Sequence, residues 1–176
     1  MNNNNKTFNI FVPVIIGIIL IYILFYLIAN VKQDVIKCSK SDTDSLGITI
    51  NEEITTTLSS REIDSLLITK TIILPPKYRN KANFEAIEFS LKKAFDYLDN
   101  SYKINIYDDR VVLTINLKKE KPVILDNISF ADSNGGLSII VKTNTKDSEI
   151  ITLSVNDEYS EGELMTTLKN RGYSCN

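Results

Sequence analysis

The sequence contains no histidine. That absence removes Ser-His-Asp and Cys-His catalysis, and the commonest side-chain metal ligand, in one step. Its two cysteines, Cys38 and Cys175, form no C-x-x-C, so neither a dithiol redox centre nor a zinc site has a motif to stand on. The six glycines never fall into G-x-G-x-x-G, a phosphate loop or the G-x-S-x-G elbow, which leaves nucleotide binding and serine-hydrolase chemistry without a signature. An excess of positive charge is also missing. After residue 30 there are 19 basic against 22 acidic residues, a formal −3, which excludes a generally basic nucleic-acid binder.

What the sequence has instead is one dense apolar block within 176 residues that are 43% hydrophobic. Lys6 and Lys32 bracket 25 residues without a charge, and 10–29 is broken only by Pro13, Gly17, Tyr22 and Tyr26. Twenty residues at about 1.5 Å rise each reach about 30 Å, the thickness of a bilayer's hydrocarbon core, so the block reads as a transmembrane helix. It exceeds the roughly 7–15 apolar residues of a signal core, and Ile28, Ala29 and Asn30 do not form a small-x-small cleavage site. Val35, Ile36 and Lys37 place a charge where a lipoprotein cysteine needs a small residue. Residues 1–9 are then a short cytoplasmic tail and 30–45 a polar stalk. Lysine counting alone would put the carboxy-terminal part in the cytoplasm. The short tail, the acidic residues Asp34, Asp42 and Asp44, and the cysteines favour the opposite orientation. The expectation is a single-pass protein of a bacterial inner membrane with its 46–176 domain in the periplasm.

Cys38 follows the apolar block and Cys175 is the penultimate residue. A bond between them would staple nearly the whole soluble domain in an oxidising compartment, worth about 5 kcal/mol in the chain-entropy account. Spacing alone equally allows two unrelated thiols at mobile ends.

The 46–176 part reads as α+β. Alternation at Leu46, Ile48 and Ile50 predicts a strand with a break at Asn51 and Glu52, and Ser59 with Glu62 marks a capping box for a short helix over 60–68. Residues 69–74 look extended, and Pro75 and Pro76 open a connector. The clearest helix is 83–99, with Phe84, Ile87, Leu91, Ala94, Phe95 and Leu98 in one stripe. Runs near 102–107, 110–117, 123–130, 137–143 and 149–155 have connectors too short for parallel crossovers, so they predict an antiparallel meander of about five strands. A last helix starts after Ser160, where Glu163 completes a capping box, and stops at Gly172. The expected architecture is a transmembrane helix followed by a two-layer domain, the meander packed by the long helix and the C-terminal helix.

Catalytic, cofactor-binding and metal-binding residues are expected to be none, and the chain is read as no enzyme. The carboxylates at Glu52 and Glu53, Asp108 and Asp109, and Asp157, Glu158, Glu161 and Glu163 fall on predicted turns and a helix start. Asp42, Thr43 and Asp44 lack the glycine and closing glutamate of a calcium loop. Ser90 with Lys92 or Lys93 reads as solvated neighbours, and Lys77, Tyr78, Arg79, Asn80 and Lys81 as a solvated basic loop. The helix face opposite the main stripe is different, because Ala86, Phe89, Lys93 and Tyr97 recur on it. Either the 46–74 segment folds back over that face, or it is a partner surface anchored by Phe89 and Tyr97.

Anchor position, chain length and domain size resemble the small periplasmic partners of membrane-bound winged-helix transcription regulators, the ToxS and PsaF kind. No residue motif carries the resemblance, so it transfers no site. It implies a regulator partner that the accessory protein protects or helps to sense the environment. The resulting expectation is a non-enzymatic membrane-anchored accessory protein that binds and stabilises or modulates a membrane protein. The alternatives are a structural component of a secretion, pilus or division complex, and a periplasmic immunity protein against a toxin.

Overall fold

The computed structural model describes residues 16–23, 34–59, 62–118, 122–125, 127–133, 136–141, 152–153 and 160–176. The chain divides into two units, Met1–Gln33 and Asp34–Asn176. In the first, residues 16–23 are helical.

The second unit is built on a six-stranded sheet. Its strands are β1 (Asp34–Thr43), β2 (Thr49–Ser59), β3 (Glu62–Ile73), β4 (Tyr102–Ile106), β5 (Arg110–Leu117) and β10 (Ser174–Cys175), in the order β10-β1-β2-β3-β5-β4, with every neighbouring pair antiparallel. Two ribbons complete the strands. β6 (Val123–Ile124) pairs with β9 (Thr152–Leu153), and β7 (Ile128–Ser133) pairs with β8 (Gly136–Val141).

Side chains alternate across a strand, so one face of the sheet carries the core. Register partners form continuous rungs on that face. Cys175, Cys38, Ile54, Ile68, Ile115 and Tyr102 succeed one another across all six strands, and Ile50, Ile72, Val111 and Ile106 form another such row. The opposite face is rich in hydroxyls, with Thr55, Thr57, Thr69, Thr71 and Thr114 only partly covered.

Two helices join the core. Helix α1 (Lys81–Phe95) starts at Asn80, whose side chain accepts the Asn83 N–H, and lies against β4, β5 and β8. It buries Ile87, Leu91, Ala94 and Phe95, with Leu98 beyond its end and Phe84 partly covered, the stripe that the 3.6-residue periodicity predicts. Buried Asn83 ties three elements: its amide donates to Tyr78 O (3.0 Å) and its Oδ1 accepts the Leu137 N–H (3.1 Å). Helix α2 (Glu161–Asn170) has the expected capping box, with Ser160 and Glu163 exchanging hydrogen bonds, and Gly172 follows at φ +85°, a conformation glycine adopts without strain. Leu164 and Leu168 point into the core.

Four expectations are corrected. The domain is an antiparallel β-sheet domain with a few helices, in place of the two-layer α+β arrangement with a five-strand meander. Among the described residues no helix is long and apolar enough to cross a membrane, so the expected N-terminal transmembrane helix is not shown. Beyond residues 16–23, the 10–29 stretch and the 1–9 tail lie outside the described residues. The polar stretch expected as a stalk contains β1, because its inward positions Ile36, Cys38 and Lys40 are enough to join a sheet that β2 already covers. The short helix expected over 60–68 is the start of β3. A bulge opposite Thr57 and Leu58 leaves Asp64 unpaired and brings Ile63 and Leu66 to the same face at a helix-like spacing. Ser59 and Glu62 are cross-strand partners at the hairpin end, which imitates capping-box spacing.

Candidate functional site

An enclosed polar feature grows from the β1–β2 hairpin. Asp44 Oδ1 accepts the N–H groups of Leu46 and Ile48, both at 2.9 Å, and Gly47 takes φ +80° to turn the chain. Ile48, fully buried, and Ile50 then line one wall of a cleft of about 390 Å³. Ile128, Ser129 and Phe130 of β7 line another part of it.

Its polar lining includes a row of three charges. Lys40, Glu52 and Lys70 are register partners across β1, β2 and β3 on the core face. Lys70 and Glu52 side chains are 2% and 6% exposed, and Lys70 Nζ lies 2.9 Å from Glu52 Oε1. The approach is off the direction of a hydrogen bond, leaving Oε1 without a hydrogen-bonding donor among the described groups, so the contact is coulombic. Lys40 pairs with the more exposed Asp42 at 3.0 Å and stands 5.8 Å from the Tyr173 ring. Burying two charges costs several kcal/mol each before their attraction repays it, so apolar residues at 52 and 70 would serve stability at least as well. The cleft has the volume of a small-molecule site. It has no histidine and no thiol, and among the described residues no His, Cys, Asp and Glu group could hold a metal ion.

The residues singled out from sequence fall in several places. Cys38 and Cys175 are register partners and are joined by a disulfide across β1 and β10. They flank the pair Lys37 and Asn176, whose backbone groups exchange hydrogen bonds at 3.0 and 3.2 Å.

The Ala86, Phe89, Lys93 and Tyr97 face is not covered by the 46–74 segment, which forms β2 and β3 of the sheet. Ala86 is half-buried and Lys93 exposed, while Phe89 is 69% and Tyr97 46% exposed. The Tyr97 hydroxyl donates to Pro122 O at 3.0 Å, and partial burial pushes its phenol pKa upward.

Other candidates resolve into structural roles. Asp109 is in the β4–β5 turn, where Arg110 bonds its carboxylate at 2.7 Å and holds its pKa below the usual carboxylate range. Lys92 pairs with Glu88 at 2.6 Å on the exposed side of α1, and Lys93 is exposed. Tyr78 is buried and donates to Asp132 Oδ2 at 2.6 Å, while Arg79 Nε donates to Leu74 O, so the basic loop is pinned to the domain. Asp157 and Glu158 lie outside the described residues.

Sequence reasoning missed the Lys70–Glu52 pair. The signal was available: Ile48, Ile50 and Ile54 alternate with Glu52 in phase, as Leu66, Ile68 and Ile72 do with Lys70. Two opposite charges at in-phase core positions of successive strands mark a buried pair. No family model, curated protein or solved structure matches the chain.

Proposed function

We propose that the chain is a non-enzymatic, extracytoplasmic accessory domain that binds a protein partner at a membrane and stabilises or modulates it. The observation that carries this reading is the outer face of α1, where Phe89 stands 69% exposed on a helix whose opposite face is core, with Tyr97, just beyond the helix end, 46% exposed. Large exposed aromatics on a rigid element are the side chains that dominate protein interfaces when they become buried. The Cys38–Cys175 disulfide supports an oxidising compartment, because such bonds persist outside the reducing cytoplasm. The charge-free stretch between Lys6 and Lys32 supports membrane association. The lack of histidine and of catalytic motifs supports binding over catalysis. The partner class that the resemblance in size and layout brings forward is a membrane-bound transcription regulator.

Phe89→Asp tests the reading. The substitution is expected to leave thermal unfolding nearly unchanged, since the side chain is exposed, while abolishing co-purification of the partner from membranes. Retained co-purification with a folded variant contradicts the assignment of this face.

A further inference from the structure

The cleft between β1, β2, β3 and β7 carries an inference independent of the partner face on α1. Lys70 and Glu52 are both more than nine-tenths buried, both line the cleft and stand 2.9 Å apart, yet Glu52 Oε1 has no hydrogen-bonding donor among the described groups. An ammonium has three N–H donors, and among the described residues the charged partner of Lys70 is Glu52 alone. Glu52 Oε1 is the atom of the pair that lacks a hydrogen-bonding donor among the described groups. Buried polar groups cost free energy unless they are hydrogen-bonded, so Glu52 calls for a donor, and a species that also offers an acceptor can use the donor capacity of Lys70 beside it.

We propose that the cleft binds a free α-amino acid with an apolar side chain. In such a molecule an ammonium and a carboxylate sit on one carbon, spaced much as the two protein charges are. Set head to tail against the pair, the ligand carboxylate accepts from Lys70 and the ligand ammonium donates to Glu52. The arrangement adds no net charge to the cleft, and charge-assisted hydrogen bonds of this kind are the strong ones. The side chain then lies against Ile48, Ile50, Ile128 and Phe130. A volume of about 390 Å³ is sufficient for an amino acid and falls within the usual range of small-molecule sites. A simple anion or a simple amine fits less well. The cleft's charges are already balanced in two close pairs, Lys70 with Glu52 and Lys40 with Asp42, and the remaining carboxylate, Asp44, is engaged by backbone N–H groups.

The test is calorimetric titration of the purified full-length protein with L-leucine and L-phenylalanine, beside isoamylamine and isocaproate, which are leucine without its carboxylate and without its amine. The expected result is one saturable site for an amino acid with a dissociation constant below about 1 mM, and binding of the amine and the acid at least roughly tenfold weaker. In the double variant E52M/K70M, apolar side chains of similar volume replace the pair, a change that folds well in comparable cases. That variant is expected to lose amino-acid binding. Absence of binding by either amino acid at roughly 10 mM, equal binding of the amine or the acid, or undiminished binding by folded E52M/K70M would each overturn the proposal. If E52M/K70M does not fold, the wild-type ligand series decides the matter alone.

Discussion

Lys70 is among the largest fully buried side chains of the described residues, and only Glu52 compensates its charge among them. Removing one member leaves the other charge buried without a partner, so Lys70→Met is expected to destabilise the domain by about 3–5 kcal/mol. Changing both residues together to methionine restores most of that loss, because no charge then remains in the core. Urea unfolding of the single and double variants measures the difference. A single variant as stable as wild type would mean that water reaches the pair. Phe89 is the opposite case. Nothing in the fold requires an aromatic ring there, and Phe89→Asp is expected to shift unfolding by no more than about 0.5 kcal/mol.

Among the elements, α2 is one whose start is set by a reciprocal pair of side chains. Ser160 accepts the Glu163 N–H, and Glu163 accepts from both the backbone and the hydroxyl of Ser160. Ser160→Ala is expected to cost about 1 kcal/mol, measurable as a lower urea midpoint. The same bonds hold the Glu163 carboxyl below its ordinary pKa. A depressed folded pKa gives stability that is present above the unfolded value and lost as pH falls through the folded one. The stability advantage of wild type over Glu163→Gln is therefore expected to persist at neutral pH and to shrink on acidification below about pH 4. An advantage that grows with acid would reverse the assignment.

This capping box was legible in the sequence because it is a local device, and so was the stripe of α1, where periodicity and burial agree. The beginning of β3 was not, because a bulge at Asp64 gives a strand the spacing of a helix. Strand β1 was hidden by its composition. One of its inward positions is Cys38, whose bond is non-local, and another is Lys40, which faces the cleft. The two ribbons, β6 with β9 and β7 with β8, were read as members of one meander, because alternation reports a strand but not its partner. Of the candidate sites, the aromatic face of α1 could be read from spacing. The Lys70–Glu52 pair required knowing that β2 and β3 are neighbours in register.

For the whole molecule, the disulfide closes the domain on itself. Cys38 and Cys175 are 137 positions apart in sequence, so the bond constrains almost all of the unfolded chain between them. Replacing both cysteines with serine, or reducing the bond, is expected to cost up to about 5 kcal/mol, read as a lower unfolding midpoint. A reduced protein with unchanged stability would show that packing alone holds β10 beside β1. With its ends bound together and its core on one face of the sheet, the domain presents α1 outward as a rigid aromatic surface. The most direct measurement is photocrosslinking in intact cells, with a photoreactive residue at position 89 and the same residue at exposed Lys169 on α2 as control. The expected result is one discrete adduct from position 89 that is missing from position 169. No adduct from position 89, or the same set of adducts from both positions, would contradict a partner-binding role for this face.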